Sequence, residues 1–170
     1  MVVISIKVKI FNESNNANPE YSTSGSSGCD VRASMPHTKI HSKALVIPGC
    51  NWHYDNHYNK VVIRPKGRVL IGTGIFCEIP IGYGISIRPR GKTALKDGVT
   101  IINASGTIDS DYRKEIGIII INHSDNNFII KHGDIIAQFV LEQTPQIEWD
   151  PVKSVDEFSK INHGDTHTSK

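Results

Sequence analysis

The sequence is poor in cysteine, in net charge and in long apolar runs, and each shortage excludes a class of protein. Its three cysteines, Cys29, Cys50 and Cys77, are an odd number and include no CxxC pair, so neither a disulfide framework nor a standard zinc site is indicated. The formal net charge is only +2, from 19 basic and 17 acidic residues, which is too balanced for a dedicated nucleic-acid binder. No run of about eighteen apolar residues occurs, so the sequence predicts no membrane span.

The N-terminus lacks the apolar core of a signal peptide. The segment VVISIKVKIF alternates isoleucine and valine with serine and lysine, which is strand periodicity and too charged for a signal sequence. We therefore expect an intracellular, cytoplasmic protein. With 170 residues, 38% of them apolar, the chain has the size of one domain that buries its own core without disulfides or metal.

Helix signals are also scarce, and most apolar segments are short and rich in isoleucine and valine. Gly, Pro, Asn and Asp separate these segments, which is typical of an all-β sandwich or barrel. The segments that predict strands are VVISIKVKIF, KALVIP, KVVIRP, RVLIGTGIF, YGISIRP, VTIIN, EIGIIIIN, NFIIKHG and IIAQFVLEQ. We expect at most one short helix, since only TALKDG and SVDEFSK, with Ser154 as N-cap and Glu157 three residues on, can form a turn or two.

Two regions depart from this strand rhythm and suggest the domain organisation. Residues 48–60, PGCNWHYDNHYNK, are polar and aromatic between two strand-like segments, which predicts an elaborated hairpin or insertion. Residues 159–170 are polar, small and terminal, which predicts a mobile tail. We therefore expect one β domain over residues 1–158, with the insertion inside it, followed by the tail.

The segment RPRGKTALKDG contains the last three residues of a P-loop, Gly91-Lys92-Thr93. A P-loop also needs a glycine five residues earlier, where bare backbone approaches the phosphates. That position is Ser86, inside the strand-like segment YGISI, so the P-loop interpretation fails. The segment still predicts a local anion site, because it crowds four cations into nine residues: Arg88, Arg90, Lys92 and Lys96.

Another polar segment, NASGTIDSDYRKE, lies between the strand-like segments VTIIN and EIGIIIIN. Asp109, Asp111 and Tyr112 are therefore expected at or near a hairpin between two buried strands. A carboxylate there can orient a water for attack, and a tyrosine ring can form an apolar wall against a sugar. The alternative is a polar turn in which the aspartates bond only their own backbone.

Four segments, read in order, resolve this ambiguity by resemblance. PEYSTSGSSGCDVRAS, RPRGKTALKDG, NASGTIDSDYRKEIG and GDIIAQF resemble the first four signature motifs of the trimeric dUTP diphosphatase (dUTPase) family, over residues 19 to about 143. The resemblance implies a β jelly-roll or distorted barrel that assembles as a homotrimer with shared active sites. It also implies Mg²⁺-assisted hydrolysis of dUTP to dUMP and pyrophosphate, with neither nucleic acid nor membrane as a partner.

The resemblance assigns the third motif to catalysis and to the nucleoside. Asp109 corresponds to the carboxylate that orients the attacking water. Tyr112 corresponds to the ring under the deoxyribose, where a ribose hydroxyl would clash. Asn103 corresponds to the uracil-contacting amide, which offers both a donor and an acceptor, and Gly106 and Ile108 are assigned to the same substrate site.

The other motifs are assigned to the metal and the phosphates. Asp30 corresponds to the aspartate near the magnesium shell, which acts through water as Mg²⁺ permits, and Gln138 to the glutamine that donates to phosphate. Arg90 falls on the phosphate-binding arginine. Gly91 stands where the family has a serine and Lys92 follows it, so a hydroxyl donor is replaced by a mobile ammonium.

The tail departs furthest from the family pattern, which ends in a glycine-rich lid with an arginine and a phenylalanine. Ungapped alignment of KINHGDTHTS places Lys160 on the arginine and Asp165 on the phenylalanine, and an aspartate cannot stack on a base. Either His163 or His167 supplies the ring, or the activity is weakened or lost. The second outcome would leave a uracil-nucleotide-binding or regulatory protein with the same fold.

Two further interpretations are disfavoured by the residues. His53 and His57, or His37 and His41, could bind a metal from one face of a helix, but no helical pattern supports that spacing, and an exposed aromatic hairpin is preferred over residues 48–60. Deaminases that act on dCTP share the fold and need a glutamate at the position of Ile119. An aliphatic side chain cannot transfer protons, so deamination is disfavoured.

Overall fold

The computed structural model describes residues 5–35, 51–55, 57 and 59–159. Several residues named above lie outside this range: Lys160, Asp165, Cys50 and the histidines at 37, 41, 163 and 167. Among the described residues, no helix is long and apolar enough to cross a membrane.

The described chain folds into strands with one α-helix and one short 3₁₀ helix. In chain order the elements are β1 Lys9–Asn12, β2 Glu20–Tyr21, β3 Cys29–Arg32, β4 Trp52–Asp55, β5 Lys60–Ile63, β6 Arg68–Gly72, β7 Ile75–Glu78, β8 Tyr83–Arg88, α1 Gly91–Asp97, β9 Val99–Ile101, β10 Gly106–Ile108, β11 Gly117–Asn122, β12 Phe128–Lys131, β13 Ile135–Gln143 and the 3₁₀ helix Val155–Glu157. The expectation of an all-β fold with at most one short α-helix is confirmed.

The strands pair antiparallel in four sheets. The largest has the order β10-β8-β13-β3-β2 and contains part of each of the four segments that resemble signature motifs. The first segment includes β2 and β3, the second begins at the end of β8, the third includes β10 and the fourth runs into β13. The others are β6-β11-β9, β12-β5-β4 and the pair β1-β7. Neighbours in the sheets are mostly distant in sequence, so the fold brings segments that are far apart along the chain into one sheet.

The core follows from alternation along the strands. In β11, Ile118 and Ile120 are buried while Ile119 and Ile121 are half-buried. Each fully buried isoleucine contributes roughly 1.5–3 kcal/mol of hydrophobic stabilisation. β-branched residues from most strands form one continuous core with Met35 and Phe139, which gives the polar segments a rigid support.

The N-terminal strand is shorter than the sequence predicted. β1 begins at Lys9, which pairs with Glu78 of β7. Extending that register would place Pro80 opposite Lys7, and proline has no N–H for a strand ladder. Residues 5–8 nevertheless keep the predicted alternation, since Ile6 and Val8 are half-buried and their neighbours are exposed.

The predicted insertion contains a hairpin formed by β4 and β5. Asp55 pairs with Lys60 at its end, and their side chains form an ion pair of 3.5 Å. Tyr54 packs against the core and its hydroxyl donates to Oδ1 of Asn59 at 2.5 Å. His53 lies on a strand and His57 in the following turn, so the helical spacing that metal binding required is absent from this described hairpin.

The one α-helix among the described residues begins earlier than TALKDG and ends where the sequence predicted. Gly98 terminates it in the left-handed conformation at φ 64°, with its N–H donating to the Thr93 carbonyl. None of the seven residues of α1, all of them described, is buried, and Leu95 is 87% exposed. Apolar periodicity therefore could not predict where this helix begins.

Candidate active site

One cluster of polar side chains joins the first, second and fourth segments. Asp30 on β3 and Gln138 on β13 are paired across the two strands and therefore point to the same face of the sheet. Gln138 Nε2 donates to Asp30 Oδ1 at 3.0 Å, and Ser22 Oγ donates to Asp30 Oδ2 at 3.1 Å. Arg90 Nε lies 3.7 Å from Asp30 Oδ1. We call these four residues the Asp30 cluster.

The Asp30 cluster carries no net charge, because the Asp30 carboxylate balances the Arg90 guanidinium, and it can contribute to an anion site through its hydrogen-bond donors. Asp30 and Arg90 keep only 16% and 28% of their side chains exposed, so their attraction is less screened than that of a surface pair. The carboxylate holds both oxygens in hydrogen bonds from Gln138 and Ser22. It thereby orients an amide and a guanidinium on one surface, and both can donate to phosphate oxygens.

Helix α1 continues this surface with further cations. Arg90 occupies its N-cap position, and Gly91 and Lys92 are its first two residues, both exposed. A Cβ built on Gly91 would meet no heavy atom of the described chain within 4 Å. A cavity of about 480 Å³ beside the helix is bordered by Arg90, Lys92 and Arg32, by the acidic residues Asp97 and Asp134, and by apolar residues of β9, β12 and β13.

The third segment, NASGTIDSDYRKEIG, forms the connection between β10 and β11, which lie in different sheets. We call residues 109–116 of this connection the Asp109 turn. Ile108 is buried and pairs with Ile85 of β8. The next residue, Asp109, is exposed and begins a turn that closes with a 3.1 Å bond from the Tyr112 N–H to the Asp109 carbonyl. The predicted hairpin is therefore confirmed only in part, because β11 pairs with β9 and β6 while β10, which lies between β9 and β11 in the sequence, pairs with β8 in another sheet. Asp109 and Tyr112 lie instead in one turn that links two sheets.

Tyr112 is held at both ends. Its ring is half-buried against the core, and its hydroxyl donates to the Glu115 carbonyl at 3.0 Å. Burial, followed by the negative charge of Glu115, raises the pKa of the Tyr112 hydroxyl. The hydroxyl therefore stays protonated at neutral pH and remains a hydrogen-bond donor.

Asn103 and Gly106 lie against each other in the loop that enters β10. A Cβ built on Gly106 would stand 3.1 Å from Asn103 Nδ2 and 3.5 Å from Ile87 Cδ1. That spacing is tighter than ordinary van der Waals contact, so a side chain at residue 106 would displace the amide. The Asn103 amide therefore packs closely on the start of β10, at a residue without a side chain.

The structure separates the predicted site residues into two parts. Ile108 pairs with Ile85 and Gln138 pairs with Arg88, so Asp109 lies about four residues from the level of Gln138, or about 13 Å along the strands. Three strand spacings between β10 and β3 add about 14 Å across the sheet. Within one chain, Asp109 and Tyr112, whose N–H bonds the Asp109 carbonyl, therefore do not meet the Asp30 cluster.

Two structurally important residues were missed by the sequence reasoning. Ser22 supports Asp30, and the buried Glu115 accepts a bond from the Gly74 N–H. Both lie inside segments that the sequence had already singled out, EYSTSGSSG and SDYRKE. Their presence there was the available signal, but their partners cannot be read from local spacing.

The described residues contain no group of three or more His, Cys, Asp or Glu side chains placed to hold a metal ion. The Asp30 carboxylate lies 3.7 Å from Arg90, and its two oxygens already accept hydrogen bonds from Gln138 and Ser22. Mg²⁺ commonly keeps several waters and binds phosphates with one or two carboxylates. Asp30 therefore fits a contact through water better than direct ligation.

Comparison with protein families places this architecture. The dUTPase family model matches residues 56–169. A deoxyuridine 5'-triphosphate nucleotidohydrolase of Finegoldia magna is 42% identical over 163 residues, covering 96% of this chain and 99% of that relative. One from Fusobacterium nucleatum is 34% identical over 165 residues, covering 97% and 98%.

Solved structures share the fold. A mutant dUTPase of Staphylococcus bacteriophage 80alpha with dUpNHpp superposes with a TM-score of 0.70 at 20% identity, covering 92% of this chain and 94% of that one. A dUTPase from phage phi11 of S. aureus gives 0.69 at 19% identity, covering 90% and 100%. The fold is the jelly roll of these proteins, as the sequence predicted. The chain belongs to the dUTPase family.

Proposed function

We propose that this protein hydrolyses dUTP to dUMP and pyrophosphate in an Mg²⁺-assisted reaction. The observation that carries the proposal is the position of Asp109, an exposed carboxylate directly after β10, in a turn that also holds the half-buried ring of Tyr112. Full-length similarity to nucleotidohydrolases of deoxyuridine triphosphate supports the choice of substrate.

In this proposal Asp109 accepts a hydrogen bond from a water and directs the water oxygen at the α-phosphorus. A new P–O bond forms, the bond from the α-phosphorus to the bridging oxygen breaks, and the water proton passes to the carboxylate. Pyrophosphate leaves with the bridging oxygen. The Arg90 guanidinium, the Lys92 ammonium and the Gln138 amide bind the charge on the phosphate oxygens.

Mg²⁺, when bound, would neutralise charge on the triphosphate and hold its oxygens in one orientation. Asp30 would hold the ion through water. Its hydrogen bonds from Gln138 and Ser22 fix the carboxylate for that role.

The third segment would recognise the nucleoside. The Asn103 amide, with the adjoining Gly106 backbone, would present a donor and an acceptor to the uracil edge, which cytosine mismatches. Ile108 supports this strand from the core. The Tyr112 ring would pack under the sugar and exclude a 2′-hydroxyl.

The proposed site requires more than one copy of the chain. Asp109 and the Asp30 cluster are separated by the strand register within one copy. The Asp109 turn of one copy would therefore face the Asp30 cluster of another. We infer a homotrimer with shared active sites. Residues 144–159 support assembly, since they are exposed throughout and carry apolar side chains that a second copy could cover: Ile147, Trp149, Val155 and Phe158.

The division of the chain remains part of the proposal. Residues 1–158 would form one dUTPase-like domain with residues 48–60 as its insertion, and residues 159–170 would form a divergent tail. Lys160 would take the place of the family's lid arginine and meet the terminal phosphate.

Pyrophosphate release from dUTP with Mg²⁺ tests the proposed function directly. The parent protein should release pyrophosphate, and Asp109→Asn should lose turnover by about 10³-fold or more while still binding a non-hydrolysable dUTP analogue. Asp111→Asn is the matched control, because it changes a carboxylate two residues away in the same turn. Full turnover in Asp109→Asn would refute the assigned role.

A second candidate function is a uracil-nucleotide-binding or regulatory protein with little or no turnover. The observation that favours it is Gly91, which leaves no hydroxyl at the position where the family has a serine. Tight binding of dUTP by the parent without pyrophosphate release would select this function. Deamination remains disfavoured, since Ile119 is an aliphatic residue within β11.

A further inference from the structure

The Asp109 turn, which carries Asp109 and Tyr112, is attached to the turn between β6 and β7 by buried hydrogen bonds. The Gly74 N–H donates to Glu115 Oε1 at 3.0 Å, and Thr73 Oγ1 donates to the Ile116 carbonyl at 2.7 Å. The Ile116 N–H donates to the Ile75 carbonyl at 2.8 Å. Residues 115–116 are therefore tied to residues 73–75 before β11 begins.

The turn that receives Glu115 is itself constrained. Gly74 has φ +68°, and a Cβ there would lie 2.6 Å from Ser14 Cβ. Its carbonyl accepts from the Glu13 N–H at 2.9 Å. Because Gly74 is held on one side by the Ser14 segment, its N–H is a fixed donor for the Glu115 carboxylate.

Glu115 is the link between this fixed turn and the Tyr112 ring. Glu115 is only 6% exposed. Its carboxylate accepts a hydrogen bond from the Gly74 N–H, and its backbone carbonyl accepts one from the Tyr112 hydroxyl. A buried carboxylate is costly unless it is well satisfied. The Glu115 carbonyl shares a peptide unit with the Ile116 N–H, which is bonded to Ile75. Release of the carboxylate therefore leaves this unit with one anchor fewer and allows a small shift of the carbonyl that orients the tyrosine.

We propose that Glu115 is a positioning residue for sugar selectivity, whose carboxylate, anchored on Gly74, fixes the Tyr112 ring at the height that admits deoxyribose and excludes ribose. This inference rests on the proposed function, because it takes Tyr112 as the wall under the sugar. A ring that shifts by a fraction of an ångström opens room for one hydroxyl. Selectivity should thus be more sensitive to Glu115 than turnover of dUTP itself.

The test compares kcat/KM for dUTP and UTP in the full chain. Glu115→Ala should reduce the dUTP-to-UTP ratio at least about fivefold, the lower range expected when a buried hydrogen-bond partner is removed. Glu115→Gln keeps an oxygen for the Gly74 N–H and should retain the ratio within about twofold. Tyr112→Phe should reduce the ratio, and combining it with Glu115→Ala should add little, since both act on one bond.

Asn122→Ala is the matched control for general loss of stability. Asn122 is also buried, and its Nδ2 donates to the carbonyls of Ile63 at 3.0 Å and Asn126 at 2.7 Å, in a turn that carries no proposed site residue. It should lower the melting temperature with an unchanged dUTP-to-UTP ratio. An equal fall of the ratio in Asn122→Ala would assign the effect to stability and overturn the proposal.

Other outcomes are equally decisive. An unchanged ratio in Glu115→Ala, or a Glu115→Gln variant that behaves like Glu115→Ala, would overturn the positioning role while leaving dUTP hydrolysis by the parent intact. If the parent releases no pyrophosphate, the proposed catalysis fails instead. The inference is then tested by the dissociation constants of non-hydrolysable dUTP and UTP analogues, whose ratio should change in the same variants.

Discussion

Gln138 donates a 3.0 Å hydrogen bond to Asp30 across the antiparallel pair β3–β13, although the two residues are 108 positions apart in the sequence. The same carboxylate oxygen faces Arg90 at 3.7 Å. One carboxylate therefore organises two phosphate-binding candidates that the sequence could name but not place. Its removal should affect both at once.

Asp30→Ala should lower kcat/KM for dUTP about 10- to 100-fold, because Gln138 and Arg90 lose their shared acceptor and the outer-shell contact to Mg²⁺ disappears. Steady-state kinetics over a range of Mg²⁺ concentrations measures this, and a higher Mg²⁺ requirement should accompany the loss. Asp125→Ala is the control, since Asp125 is 96% exposed in its ion pair with Lys66. Unchanged Mg²⁺ dependence in Asp30→Ala would contradict the metal assignment.

Gly91→Ser should raise kcat/KM for dUTP by about threefold to tenfold. A Cβ at residue 91 meets no described atom within 4 Å, so a side chain fits there, and the added hydroxyl can donate to a phosphate oxygen. Gly91→Ala supplies the Cβ without the hydroxyl and should give no gain. Equal activity in the two variants would show that Lys92 already replaces the missing donor.

Light scattering should give the mass of a trimer at micromolar concentration. The chain leaves Trp149 80% exposed, Val155 73% and Phe158 60%, and such a set of apolar side chains in one segment is typical of a surface covered by another copy. Trp149→Ala should shift the equilibrium toward smaller species. A monomeric mass for the parent would exclude shared active sites.

The free energy of unfolding should fall between about pH 9 and pH 11 partly because of Cys77. Burial raises the pKa of this thiol from 9.0 to about 11. In that window the unfolded thiol has lost its proton and the folded one has kept it, so the unfolded state binds fewer protons and stability decreases as pH rises. Denaturant titrations of the parent and of Cys77→Val should show a shallower decline in the variant. Identical slopes would contradict the burial effect.

The polar turn of Asp109 and the alternation of β11 could be predicted from sequence because both depend on neighbours along the chain. The predicted hairpin was right only for β9 and β11, since β10 between them pairs with β8, a strand of another sheet. Ile118 and Ile120 are buried at a period of two, and the polar turn interrupts that period. The contacts of Glu115 and Ser22 could not be predicted, since they depend on the register of strands far apart in sequence. Helix α1 was only partly predicted because it buries none of its residues.

The separation of Asp109 from the Asp30 cluster was also beyond the sequence. Four polar segments in the right order indicate one site, yet the pairings Ile108–Ile85 and Gln138–Arg88 place them at different levels of the sheet. The two parts can work together only across a boundary between copies. This requirement is the central claim of the account.

Subunit complementation tests that claim most directly. Asp109→Asn and Arg90→Ala are each expected to be inactive alone, and the two are then unfolded, mixed in equal amounts and refolded together. If the Asp109 turn of one copy completes an active site with the Asp30 cluster of another, about one quarter of the sites should combine an intact Asp109 with an intact Arg90, by random assortment in a closed ring. The account predicts pyrophosphate release near that fraction of the parent rate. A mixture no more active than its separate variants, beside a parent that refolds to full activity, would contradict it.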